Sequence, residues 1–111
     1  MAVARTLEIE EHAGDGGACL TLRGELDIAT VPRLEEAVAG ALERSPRALT
    51  IDLRALSFMD SSGLRQFILL AERAEREGWT LALVRPEARV LTIFRVTRAE
   101  ENLPFVDAPP R

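Results

Sequence analysis

An acid, two hydroxyls and a glycine stand together in the centre of the chain, in the sequence FMDSSGLR at residues 58–65. A serine beside an acid can act as a nucleophile, accept a phosphoryl group or cap a helix. The helical pattern that follows favours capping, because Asp and Ser are preferred at the first position of a helix. Since one residue suffices as the cap, three capping-competent residues in succession predict at least one exposed hydroxyl.

Catalysis at this serine lacks the partners that it would need. An activated serine requires a neighbouring base, yet the chain contains one His and no Lys. The His, His12, falls in a predicted edge hairpin, and DSSG lacks the first glycine of the G-x-S-x-G turn. One His and one Cys cannot build a nitrogen or sulfur metal site, and the acids show no calcium-loop spacing. We expect no enzyme, no catalytic residue, no metal and no cofactor; a small hydrolase using Ser61 is the least supported alternative.

The charge and cysteine content restrict the partners and the compartment. The formal net charge is −4, and the 14 basic residues are all Arg, spread along the chain. Nucleic acid is therefore not an expected partner, since phosphate neutralisation requires clustered positive charge. Cys19 is the single cysteine, the N-terminus MAVARTLEIEEH lacks the apolar core of a signal peptide, and no apolar run approaches the ~20 residues that span a bilayer. We expect a cytoplasmic protein without membrane insertion, and Arg use without Lys suggests a bacterial source.

Hydrophobic periodicity predicts strands alternating with helices. The predicted strands span residues 6–11, 18–23, 47 to about 53, 79–84 and 103–108. Helices are expected from Thr30 as cap to Ser45-Pro46, from about Ser62 to Gly78, and across 90–96, with residues 55–59 as a loop. On the second helix, the predicted apolar stripe consists of Leu64, Phe67, Ile68, Ala71 and Ala74.

This order predicts an α/β fold: a mostly parallel sheet of four to five strands, an antiparallel edge hairpin and about three to four helices. One domain would span residues 1–111, with a flexible tail at 108–111. Asp60 and Ser61 would then lie at the carboxyl edge of the sheet, where ligands and partners of open α/β sheets bind.

The chain resembles the STAS domain, and in particular the small bacterial anti-sigma factor antagonists. The resemblance covers almost the whole sequence: GELDIATVPRLEEAV at 24–38, LTIDLRALSFMDSSGLR at 49–65 and VLTIFRVTRAEENLPFVDA at 90–108. FMDSSGL is its most specific part, because it is the form found in phosphorylatable antagonists.

The resemblance implies partner switching in transcription regulation. The unphosphorylated antagonist binds an anti-sigma factor that is also a serine kinase, which frees sigma factor. Phosphorylation of the serine after the Asp separates the pair, and a metal-dependent serine phosphatase resets it. Ser61 is thereby implied as the acceptor, and a monomer or weak dimer is expected. The implied partner-binding residues are Asp27, Thr30, Asp60, Ser62, Gly63, Leu64 and Arg65.

Two departures and one alternative accompany the resemblance. Arg65 stands where many antagonists have a small residue, and it could pair with an acidic partner; VTRAE at 96–100 lacks a glycine often seen in that turn. From the residues alone, Asp27 could equally serve a turn or cap, and Leu64 could belong to the core. The alternative function is a non-switching STAS adaptor in a lipid transport or stress-signalling complex.

Overall fold

The computed structural model describes residues 6–14, 17–44 and 46–109, and in this part five strands form one sheet in the order β1-β2-β3-β4-β5. β1 and β2 pair antiparallel, and each later strand pairs parallel to the one before it. The elements are β1 (Leu7–Gly14), β2 (Gly17–Leu26), α1 (Val31–Leu42), β3 (Ala48–Met59), α2 (Ser61–Glu77), β4 (Thr80–Val84), α3 (Ala88–Val96), a short 3₁₀ helix (Ala99–Glu101) and β5 (Phe105–Val106).

The predicted α/β fold is confirmed, including the antiparallel edge hairpin and the parallel remainder. Right-handed crossovers between sequential parallel strands place successive helices on the same face of a sheet. The buried residues of α1, α2 and α3 accordingly join one hydrophobic cluster with the inward-facing residues of the strands. An aromatic group lies within it: Phe94 is 6.2 Å from Phe67 and 5.1 Å from Phe105, measured between ring centroids.

β3 continues to Met59, so the prediction of a loop at residues 55–59 is wrong. Its pairing with β2 shifts at two places, after Thr21 and after Gly24, and each shift leaves one extra residue in β3. These are β-bulges, which bend a strand and break its alternation. The buried side chains at this end therefore recur at every third residue: Leu53, Leu56 and Met59. A spacing of three residues between buried side chains differs from the spacing of two that is typical of a strand, so the sequence pattern did not indicate a strand here.

The first half of β3 is buried on both faces. Leu49 and Ile51 face the helices, while Thr50 and Asp52 lie buried on the opposite face. Burial by itself would raise the pKa of the Asp52 carboxyl, but hydrogen bonds from the side chain and backbone of Arg54 outweigh it and hold the pKa below its usual value. This acid is therefore a satisfied structural group within the sheet.

The helix boundaries differ from the predictions in several details. α2 begins at Ser61 rather than Ser62, and its buried stripe contains Leu70 in place of Ile68, which is 39% exposed. Gly78 ends α2 as predicted, and it does so in the left-handed conformation, with φ 78°. α1 ends at Leu42, before the predicted stop, and Ser45 lies outside the described residues.

The C-terminal region forms the predicted third helix and short last strand, although Val96 is 76% exposed rather than packed. Arg98 has φ 64°, so an arginine adopts the left-handed conformation at the turn that lacks glycine. Residues 110 and 111 of the predicted tail lie outside the described part. Within the described residues, no helix is both long and apolar enough to cross a membrane.

Candidate functional site

The site is built where two neighbouring parallel strands end. Leu26 closes β2 and Met59 closes β3, and the two residues are paired in register. The Asp60 amide donates to the Leu26 carbonyl at 3.2 Å, which ties the start of α2 to the end of β2. The loop at 27–30 and the first turn of α2 consequently leave the same edge of the sheet. The strand order had predicted this edge for Asp60 and Ser61.

Asp60 is the N-cap of α2. Its backbone is extended, and its carboxylate accepts from the Ser62 amide at 2.8 Å. The Asp60 carbonyl accepts from the amides of Gly63 and Leu64 at 3.2 and 3.3 Å, so this residue closes the first helical turn. The Asp60 carboxylate is therefore the cap of α2, and neither serine hydroxyl is needed to cap the helix.

Ser61 is the first residue of α2, and its side chain is exposed. Within the described residues its hydroxyl makes no hydrogen bond. Ser62 is half-buried, and Arg65 is exposed one turn further along the helix. Of the two hydroxyls, Ser61 is therefore the one that is open to a partner.

Gly63 and Leu64 face inward. Leu64 is 7% exposed and belongs to the hydrophobic core. Of the two roles that the sequence allowed for Leu64, core residue or partner contact, the structure shows the core. A Cβ on Gly63 would lie 2.6 Å from Met59 Cγ and 2.9 Å from Leu26 Cδ2. Glycine fits here because a larger residue would have to displace the buried side chains of Met59 and Leu26.

Asp27 and Thr30 hold the β2–α1 loop together. Asp27 Oδ1 accepts from the amides of Ala29 and Thr30 at 2.9 and 3.1 Å. Thr30 occupies the N-cap position of α1, but its hydroxyl makes no cap bond; instead it accepts from the Asp27 amide at 2.9 Å and donates to the Glu25 carbonyl at 2.8 Å. Both residues are buried, and their predicted contact with a partner stays a prediction.

Sequence reasoning missed Ile28, which lies between these two residues and is 78% exposed. The signal was available in the sequence, because Ile28 is an apolar residue placed after a strand and before the apolar stripe of α1. Burying an apolar side chain against a partner removes its surface from water, which is favourable by about 25 cal/mol per Å². The loop that carries it is fixed by the hydrogen bonds of Asp27 and Thr30.

The one histidine of the chain lies far from Ser61. His12 pairs with Cys19, seven residues before Leu26 along β2, which places it about 23 Å from the strand end at a rise of about 3.3 Å per residue. Burial, together with the nearby Asp52 carboxylate, raises the pKa of Cys19, so its thiol stays protonated at neutral pH. Among the described residues, no group of three or more His, Cys, Asp or Glu side chains could hold a metal ion.

The role of Asp60 can be tested by its stability effect. Asp60→Ala is expected to lower the free energy of unfolding by about 1 kcal/mol, because the Ser62 amide loses its acceptor. Asp60→Asn keeps a side-chain acceptor at the cap and should stay within about 0.5 kcal/mol of the wild type. Thermal or urea unfolding of both variants checks this; equal losses for Ala and Asn would show that the charge, rather than the cap bond, stabilises the turn.

The site thus consists of an exposed serine that follows a capping acid at the carboxyl edge of the sheet. A model of the STAS domain family matches residues 6–108. The chain belongs to the STAS domain family. The match covers every strand and helix described above.

Known relatives of this STAS domain are anti-sigma factor antagonists. The chain is 38% identical over 73 residues to the anti-sigma-F factor antagonist RsfB of Mycobacterium tuberculosis, covering 66% of this chain and 56% of RsfB. It therefore spans little more than half the length of that relative. It is 30% identical over 91 residues to the anti-sigma-B factor antagonist of Staphylococcus aureus, covering 82% of this chain and 84% of that protein.

A solved structure shares the fold. The crystal structure of an anti-sigma factor antagonist from Mycobacterium paratuberculosis superposes with a TM-score of 0.77 at 27% identity. The alignment covers 93% of this chain and 87% of that chain. The similarity therefore extends over most of the fold.

Proposed function

We propose that this STAS domain protein is an anti-sigma factor antagonist that is switched by phosphorylation of Ser61. The observation that supports it best is the exposed Ser61 hydroxyl, which makes no hydrogen bond among the described residues and directly follows the capping Asp60. The anti-sigma factor antagonists among its relatives support the same regulatory class. The unphosphorylated chain binds an anti-sigma factor that is also a serine kinase, and sigma factor is released.

Phosphorylation is chemistry performed on this chain by its partner. The Ser61 oxygen attacks the γ-phosphorus of ATP, the new O–P bond forms, and the bond to the bridging oxygen breaks so that ADP leaves. The hydroxyl proton passes to a base of the kinase. A metal-dependent serine phosphatase later hydrolyses the phosphoserine with water and restores the hydroxyl. The chain itself is not an enzyme in this scheme, and it acts in the cytoplasm as a monomer or weak dimer.

The energetic basis of the switch is the difference between an exposed and a buried charge. In the free chain, the phosphate is solvated; repulsion from Asp60 and attraction to the N-terminus of α2 are each about 1 kcal/mol or less. Against a partner, a charge buried without a counter-ion costs about 2 to 5 kcal/mol. A cost of about 2.7 kcal/mol lowers affinity a hundredfold. Phosphorylation can therefore separate the complex without unfolding the antagonist.

The implied partner-binding residues divide into two groups in this proposal. Ser61, Arg65 and Ile28 are exposed and would contact the anti-sigma factor directly. The others shape that surface. Asp60 and Ser62 form the capped first turn, Gly63 and Leu64 seat α2 on the core, and Asp27 and Thr30 fix the loop.

The test is phosphorylation by the anti-sigma factor kinase of the source organism. The chain is incubated with that kinase and ATP, and the modified residue is mapped by mass spectrometry. We expect one added phosphoryl group on Ser61, none on the Ser61→Ala variant, and normal modification of the Ser62→Ala variant. No added phosphate, or phosphate confined to Ser62, contradicts the assignment. Stable assembly with scaffold or transport subunits without phosphotransfer would instead indicate the non-switching adaptor.

A further inference from the structure

We infer that Arg65 binds the phosphate once it is attached to Ser61, so that the phosphorylated chain carries its own counter-ion. This inference rests on the proposed phosphorylation of Ser61. It starts from the spacing of the two residues. Ser61 and Arg65 are four residues apart within α2, and both are exposed. Side chains at positions i and i+4 are neighbours on a helix surface, with Cβ atoms about 6 Å apart.

The direction of the side chains favours this contact. In an α-helix every Cα–Cβ bond tilts toward the N-terminus, so the side chain at i+4 leans over the residue one turn earlier. The Cα–Cβ bond of Arg65 is therefore directed toward the helical turn that contains Ser61. Its guanidinium presents several N–H donors in a planar fork that matches the oxygens of a phosphate, and pairs of this kind are among the stronger hydrogen bonds in proteins.

Arg65 is also available for this role. Within the described residues it has no ion pair. The positions one turn further along α2, Ile68 and Leu69, are apolar and partly exposed, so they offer no carboxylate. The nearest acid on the N-terminal side is Asp60, whose carboxylate accepts from the Ser62 amide. The phosphate would therefore be the first strong anionic partner placed within one turn of this guanidinium.

The ion pair between Arg65 and the phosphate would affect the free chain and the complex differently. In the free phosphorylated chain, the attraction between Arg65 and the phosphate offsets the repulsion between the phosphate and Asp60. In the complex, the surface around Ser61 is covered, and a guanidinium held by the phosphate can no longer contact a carboxylate of the partner. Phosphorylation thus adds negative charge at Ser61 and also removes the positive charge of Arg65 from contact with the partner.

The test uses phosphoserine installed genetically at position 61, so that it does not depend on any kinase. The wild-type background is compared with Arg65→Gln and with Arg76→Gln. The control removes the same charge from an exposed position in the last turn of α2, 15 residues or about 22 Å from Ser61. The phosphate is titrated by ³¹P NMR, since a nearby cation favours the doubly charged form.

We expect the titration midpoint of the phosphate to lie several tenths of a pH unit lower in the wild type and in Arg76→Gln than in Arg65→Gln. Equal midpoints in the wild type and Arg65→Gln would overturn the inference. So would an equal displacement in Arg76→Gln, because the effect would then come from net charge. Neither result bears on which residue a kinase modifies, which the mass-spectrometric experiment decides separately.

Discussion

Replacing Ser61 by Asp is expected to weaken binding to the anti-sigma factor by about a hundredfold or more while the fold stays intact. The exposed first position of α2 tolerates a carboxylate, since the helix N-terminus attracts it and Asp60 repels it by comparable amounts of about 1 kcal/mol or less. The midpoint of thermal unfolding should therefore move by only a few degrees. Titration calorimetry or surface plasmon resonance measures the loss of affinity.

Ser61→Asn is the matched control for this variant. It has nearly the same size and shape as Ser61→Asp but carries no charge, so it should weaken binding far less, by about tenfold or less. Equal losses for Asn and Asp would show that the partner senses the volume of the side chain. An Asp variant that binds as the wild type does would contradict the charge mechanism, and one that unfolds would show that Ser61 has a structural role.

Replacing Gly63 by Val is expected to lower the free energy of unfolding by about 2 to 3 kcal/mol and the melting temperature by about 10 °C. The reason is steric, because the Cβ would lie 2.6 Å from Met59 Cγ and 2.9 Å from Leu26 Cδ2. Both neighbours are buried, so either their side chains or α2 must shift to make room. Differential scanning calorimetry or urea unfolding measures the change.

Gly40→Val provides the control, because Gly40 also lies within a helix but a Cβ there would meet no atom within 4 Å. Valine and glycine have similar helix propensities, so this variant should stay within about 0.5 kcal/mol of the wild type. Similar losses for the two valine variants would mean that helix propensity, rather than the close approach of α2, determines the cost at Gly63.

Elements with local signals were predicted well from the sequence. The first two strands, the helix after Thr30 and the helix end at Gly78 each have their signal within a few consecutive residues, and each is confirmed. The second half of β3 was predicted wrongly because two bulges set its period, and bulges arise from pairing with β2, a segment about thirty residues away. Ile68 was wrongly predicted to be buried because helical spacing does not define which residues at the border of an apolar stripe face the core.

By itself, the sequence determined the order of strands and helices and the presence of capping-competent residues before α2, since these depend on residue types and short spacings. The tertiary structure decided which hydroxyl is exposed, the close packing around Gly63, and that Asp27 and Thr30 hold a loop whose exposed residue is Ile28. The close approach at Gly63 exists only once β2 and β3 lie side by side, because Leu26 and Gly63 are 37 residues apart in the chain. The hydrogen bonds of Asp27 and Thr30 are local, but residue types alone do not specify which side chain accepts which amide.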